Sequence, residues 1–416
     1  MRAVREAPLD ASIAATCPHE ANGPRALVLA DDIGVFLSIA RSLGRAGIAV
    51  DVATCSAEYP GLASRHIDSV HLLPGFLDMP GAWKDALRAL CRERGYDLIF
   101  ATNDSNLDML ATSENALPHA RLAIANREAL AAFADKASTR VLAREYGVPT
   151  ADGIEAAAWS DPAPLCESRG FPLVIKPARP FLAGSGEAKR MARIARDQRA
   201  LQRALADFAG RDIVIEEFFE GDGVGLSVLA DRGDILAAWQ HRRLAQASET
   251  GRSSRRVGEP PDAALLQDVR KLASATVLTG PAMFEFRHDR PSGRHVLIEV
   301  NPRYWGSLAL ALAAGADFPL WHWRLLHGEA VGAAGSPISF PITKTSLTAE
   351  FDRISDLPAE GFGWLTRALA LAGLMAAALI FPQRFDGWTS DDPAPHRAEL
   401  RALVSRLWSA VQRRLA

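Results

Sequence analysis

The chain has 416 residues, enough for two or three domains with substantial cores. Its composition, 48% hydrophobic and 23% charged, is that of an ordinary globular protein, and a net charge of −2 gives no electrostatic case for a nucleic acid or an anionic membrane as partner. Cys17, Cys55, Cys91 and Cys166 are too scattered for a zinc or redox motif and are expected to be thiols in a reducing cytosol.

Residues 1–23 contain acids and proline but no apolar stretch of the kind a secretory signal needs, and are expected to form a flexible tail. From Arg25 to about Ile124, short apolar runs alternate with helical stretches. Strands are expected at Ala26–Ala30, Ile48–Val52, Ser69–Leu73 and Asp97–Ala101, with helices near Gly34–Arg45 and Ala82–Glu93. That is the rhythm of a parallel α/β sheet. No Gly-x-Gly-x-x-Gly follows the first strand, so a dinucleotide site is unsupported. Thr102-Asn103-Asp104-Ser105 falls just past a strand, where such sheets place ligands; a helix cap explains it equally well.

A helical linker follows at 126–150, containing Lys136 and closed by Gly147 and Pro149. Only six of the 47 basic residues are lysine, so a lysine placed by a motif is informative. Phe171–Pro177 reads as a strand ending in Lys176, a point charge suited to phosphate oxygens. Gly184-Ser185-Gly186 is a short loop whose N–H groups can close over a phosphate, or an ordinary turn. Ile213–Gly221 is a strand that turns acidic and aromatic: backbone groups of Glu217 to Phe219 would read an adenine edge, and the carboxylates ribose hydroxyls. An edge strand with a solvated acidic end is the plainer reading. Five arginines between Arg242 and Arg256 suggest an anion-binding loop, with Arg243 favoured for function over Arg255 and Arg256. Glu285 and Glu299-Val300-Asn301-Pro302-Arg303 lie on two apolar runs read as neighbouring strands. Glu299 and Asn301 are two apart and share a face. Two carboxylates and an amide oxygen are hard ligands suited to Mg2+, and Arg303 can hold a phosphate or carboxylate with two hydrogen bonds.

In this order the motifs resemble the ATP-grasp superfamily, in particular its carbamoyl-phosphate-synthase and biotin-carboxylase-like branch. The resemblance implies a mixed α/β and α+β chain: a Rossmann-like pre-ATP-grasp domain at 24–124, a two-subdomain ATP-grasp fold at 125–330 (first subdomain and lid 125–210, second with the metal site 211–330), and a helical C-terminal appendix at 331–416. It implies that Lys136 and Lys176 hold phosphates, Gly184, Ser185 and Gly186 form the lid loop, and Glu216, Glu217, Phe218 and Phe219 form the adenine hinge. Glu285, Glu299 and Asn301 then match metal ligands, and Arg303 with Arg243 and Lys176 serves the reacting phosphate and substrate. Many relatives carry Gly-x-Glu after the hinge, whereas this chain has Gly221-Asp222-Gly223, which leaves Asp222 or Glu217 for the ribose.

The implied activity is ATP-dependent ligation with Mg2+, or Mn2+ in its place. A carboxylate is activated as an acyl-phosphate and attacked by an amine, so the partners are small molecules and not nucleic acid. The alternatives are a kinase or carboxyphosphate-forming enzyme, or a non-catalytic ATP-binding regulatory module. Ala368–Phe381 is fourteen residues without a charge, too short to span a bilayer. It is expected to be a core helix or the contact of a homodimer in preference to a membrane contact.

Overall fold

The computed structural model describes residues 4–6, 23–30, 34–76, 78–111, 117, 120–157, 170–179, 191–246, 253–331, 338–356 and 363–415. Its first layer is a six-stranded sheet made of β1 (Val4–Glu6), β2 (Arg25–Leu29), β3 (Ala49–Thr54), β4 (Ser69–Leu72), β5 (Leu98–Phe100) and β6 (Arg121–Ala123). The strands run parallel in the order β1-β4-β3-β2-β5-β6. Helices α1 (Val35–Arg45), α2 (Pro80–Arg94) and α3 (Asp104–Ala111) connect them. Ala26, Leu27, Val28 and Leu29 are all buried, as a strand covered on both faces requires. The segment expected as a loose tail supplies β1; the rest of 1–22 lies outside the described residues.

Asp51 on β3 is the polar hub of this layer. Fully buried, it accepts hydrogen bonds from Tyr96 (2.8 Å), Arg94 (3.2 Å) and Arg25 (3.2 Å), and contacts His71 Nε2 at 3.2 Å. Burial alone would raise its pKa, but His71, Tyr96 and the two arginines outweigh burial and hold it below the ordinary value.

Helices α4 (Arg127–Phe133) and α5 (Lys136–Glu145) lead to a four-stranded antiparallel sheet. Its members are β7 (Gly153–Ala156), β8 (Leu173–Pro177), β9 (Arg193–Ala195) and β10 (Ile213–Glu217), in the order β7-β10-β8-β9, with α6 (Gln198–Asp207) packed on it. The third sheet contains β11 (Asp222–Asp231), β12 (Asp234–Gln246), β13 (Ser253–Glu259), β14 (Gly280–Asp289), β15 (Arg294–Asn301) and β16 (Ile342–Thr345). All its pairs are antiparallel, in the order β15-β14-β11-β12-β13-β16. Helices α7 (Ala263–Ala275), α8 (Leu308–Ala313) and α9 (Phe318–Leu326) accompany it.

β16 lies beyond residue 331, so a division there leaves one strand of this sheet on the appendix side. The remaining C-terminal residues are helical: α10 (Leu347–Ser355), α11 (Trp364–Ile380) and α12 (Ala394–Leu415). They share a small core built on Phe351, Leu371, Leu400 and Leu403. Two ion pairs fasten this segment to α1: Arg41 with Asp392 (2.9 Å, both buried) and Arg45 with Asp391 (2.7 Å).

Replacing Asp51 with Ala should cost about 3–5 kcal/mol, because four buried or half-buried donors lose their acceptor. Urea unfolding at neutral pH measures it. A depressed carboxyl contributes stability that is present above its unfolded pKa and lost as pH falls through the folded one. The gap between the wild-type chain and Asp51→Asn should therefore close on acidification.

Candidate active site

The site is built on β14 and β15, where Glu285 pairs directly opposite Glu299. Like charges facing across a strand pair repel. Each acid is held by a cation from another element. Arg243 of β12 ion-pairs with Glu285, and Lys136 Nζ of α5 lies 3.0 Å from Glu299 Oε2. Asp135 sets Lys136 there by capping α5: its carboxylate accepts the Ser138 N–H at 2.7 Å. Burial alone would lower the Lys136 pKa; Glu299, then Asp104 and Glu285, overcome this and raise it. Glycine at two positions of β11 leaves room for side chains of β12. A Cβ at Gly223 would sit 2.8 Å from Arg243 Cδ, and one at Gly225 would sit 2.2 Å from His241 Cε1.

This donor set fits a hard divalent cation. Among the described residues no three acids, histidines or cysteines converge as a metal cage. A cation here would rest on Glu285 and Glu299 and take its remaining ligands from phosphate and water, the usual arrangement for Mg2+. Asn301 turns its amide NH2 toward Glu299 Oε1 at 3.4 Å, so its oxygen would join only with the amide turned over.

Below the acids, Lys176 at the end of β8 is buried. Its Nζ donates to Glu216 Oε1 at 2.7 Å and to the Ile298 carbonyl at 3.1 Å. Arg140 donates to the other Glu216 oxygen at 2.7 Å. The cluster joins the small sheet to β15, and two of the three Lys176 donors are used. Glu216 is therefore not a solvated hinge acid: its side chain is buried between two cations. The Glu217 and Phe218 N–H groups are also engaged, with the Asp152 and Pro172 carbonyls at 2.8 and 3.1 Å. The expected adenine reading cannot use those two donors. A cavity of about 180 Å³ opens here, lined by Lys136, Lys176, Glu216 to Phe219, Arg243, Glu285 and Glu299.

A second cavity, of about 300 Å³, shares Met191, Arg243, Glu285 and Glu299 with the first. Its far walls come from β13, α8 and the C-terminal segment, including Arg256, Ala309, Thr348, Asp386 and Glu399. Arg256, which sequence favours less than Arg243 for function, is buried, ion-paired with Asp386 and bonded to the Gly306 carbonyl at 3.0 Å. His241 also lines the cavity. Burial, with Arg243 and Arg256 nearby, keeps its pKa well below 6.5, so the ring is neutral.

A family model described as "ATP-grasp in the biosynthetic pathway with Ter operon" matches residues 209–346, which carry β14, β15 and the acids. The chain has the ATP-grasp fold. Solved structures of the same fold include an L-amino acid ligase from Bacillus licheniformis, at 20% identity and TM-score 0.57, covering 72% of this chain and 73% of that one. A biotin carboxylase from Campylobacter jejuni aligns at 17% identity and TM-score 0.59, over 74% and 72%. An N5-carboxyaminoimidazole synthetase from Staphylococcus aureus aligns at 14% and 0.59, over 78% and 82%. No curated protein matches the sequence.

On this ATP-grasp frame the structure gathers Lys136, Lys176, Glu216, Glu217, Phe218, Phe219, Arg243, Glu285 and Glu299 around the first cavity. Asn301 and Arg303 line the second. Gly184, Ser185 and Gly186 lie outside the described residues. Asp222, considered for the ribose, begins β11 and approaches Arg242 at 3.7 Å; its neighbour Gly223 lines the first cavity instead. Arg303 does not present an open fork. It pairs with Asp104 (3.0 Å for Nη2–Oδ2) and donates to the Tyr304 carbonyl at 2.9 Å and to Asn301 Oδ1 at 3.0 Å. It thus fastens the end of β15 to the start of α3, just past β5 of the parallel sheet. Asp104 and Arg140 are the site residues that sequence reasoning missed as partners. Arg140 had a signal, since it stands one helical turn after Lys136.

Glu216→Ala should destabilise the fold by about 3–5 kcal/mol, since Lys176 and Arg140 are left buried without their counter-charge. Glu299→Gln breaks a pair that is only 18% and 28% exposed but also removes the repulsion of Glu285, and should cost less than Glu216→Ala, about 1–2 kcal/mol. Urea melts of the two variants check the contrast.

Proposed function

We propose that the chain is an ATP- and Mg2+-dependent ligase that activates a carboxylate as an acyl-phosphate and joins it to an amine. The observation carrying this reading is the shared wall: two cavities meet at Glu285, Glu299 and Arg243. A nucleotide in the first, with adenine near Glu217–Phe219 and phosphates near Lys136 and Lys176, brings its γ-phosphate to the mouth of the second. The ATP-grasp fold and the ligases that share it support the same assignment.

In this reading a carboxylate oxygen from the second cavity attacks the γ-phosphorus, the bond to the β-phosphate oxygen breaks, and ADP leaves. The amine nitrogen then attacks the acyl carbon, inorganic phosphate departs and the nitrogen loses a proton. The chain contributes position and charge, the two requirements of phosphoryl transfer. Lys136 and Lys176 neutralise phosphate oxygens, and Arg243 stands between nucleotide and acceptor. Bound at Glu285 and Glu299, Mg2+ would supply further charge neutralisation. Asp104 holds Arg303, and through it Asn301, in place.

A phosphate-release assay over mixed carboxylates and amines, with mass spectrometry of products, tests the reading. ADP, phosphate and an amide are expected. A phosphorylated product would identify a kinase, and nucleotide binding without turnover would identify a regulatory module. Glu299→Gln should lower kcat by roughly 10²–10³. Ala309→Phe, which narrows only the second cavity, should raise KM for the acceptor and leave ATP affinity unchanged.

A further inference from the structure

Helix α11 was expected to be covered by a core or a second copy of the chain. It is covered on one side only. Leu371 and Ala378 turn into the small C-terminal core, while Trp364, Leu369, Leu379 and Ile380 stand 71%, 65%, 70% and 66% exposed. The stretch Ala368–Phe381 contains no charge on either face. A helix that is apolar all round belongs in a buried setting, and an exposed apolar surface of this kind marks a contact. On the neighbouring α12, Val404 and Trp408 are exposed at 54% and 64%.

The charges around this surface identify its occupant. Residues 363–415 contain four acids, and each has a partner inside the molecule: Asp386 with Arg256, Asp391 with Arg45, Asp392 with Arg41, and Glu399 with Thr348. Arg384, Arg397 and Arg401 are exposed, and the Arg384 guanidinium lies over the Phe381 ring at 4.7 Å. A near-neutral whole chain therefore hides a basic, apolar C-terminal face. A second copy would set arginine against arginine, whereas anionic lipid answers both the apolar helix and the arginines. Trp364 and Trp408 are of a residue type that settles at a bilayer's polar boundary. No described helix is long and apolar enough to cross a membrane.

We propose that α11, with the exposed end of α12, lies in the surface of an anionic phospholipid membrane and docks the protein there peripherally. Sedimentation of the full chain with vesicles tests this, using phosphatidylcholine alone or mixed with phosphatidylglycerol at physiological ionic strength. The wild-type chain should pellet with the anionic vesicles and stay in solution with the neutral ones. Leu369→Gln/Leu379→Gln/Ile380→Gln should abolish pelleting. Its melting temperature and ATP binding should not change, because those side chains are already exposed. Substituting Arg384, Arg397 and Arg401 by Gln should weaken partitioning roughly fivefold per arginine removed. Failure of the wild-type chain to pellet with either vesicle would overturn the proposal, as would equal pelleting of the apolar variant. A lipid-free dimer that the apolar variant converts to monomer would assign the helix to a second copy and overturn it too.

Discussion

Two carboxylates facing each other across neighbouring strands are the constraint on which the rest of the site depends. Glu285 and Glu299 repel, and the sheet tolerates them because Arg243 and Lys136 stand beside them. Those cations come from β12 and from α5, so neutralising the acids also fastens α5 to the third sheet. Lys176 extends the same logic by reaching from the small sheet to the Ile298 carbonyl on β15. Charge balance therefore sets how the two halves of the ATP-grasp fold meet. A divalent cation would relieve the same repulsion more completely than one arginine and one lysine can.

The C-terminal segment is tied into this arrangement at several points. β16 extends the third sheet, Asp386 pairs with Arg256, and Arg41 of α1 reaches Asp392 and the Gly387 carbonyl at 2.9 Å. Burial lowers the Arg41 pKa, and the Asp392 carboxylate opposes that effect. These bonds bring Thr348, Asp386 and Glu399 to the wall of the second cavity. A segment read from composition as an appendix thus helps to shape the second cavity.

Local pattern made much of this legible. Alternating apolar runs located β2, β3, β4 and β5, and the two-residue spacing of Glu299 and Asn301 placed both on one face. What local pattern cannot supply is a partner far along the chain. Arg303 and Asp104 are 199 residues apart, and Arg256 and Asp386 are 130 apart, so residues read as substrate-facing or solvated are engaged within the protein. Glu216 was read as part of an adenine hinge, with a solvated acidic end as the alternative, but the paired cations on β8 and α5 pull its side chain inside. β16 is only four residues long and follows a Gly/Ala/Pro-rich stretch, so it carried no strand signal of its own. For α11, composition revealed an apolar helix but not which face the fold would leave bare.

Calorimetric titration of the wild-type chain with ATP, with and without Mg2+, addresses the central constraint most directly. If Glu285 and Glu299 are the metal end of a nucleotide site, ATP should bind well only with Mg2+, and Glu285→Gln/Glu299→Gln should erase that dependence. Equal ATP affinity with and without the metal in the wild-type chain would contradict it.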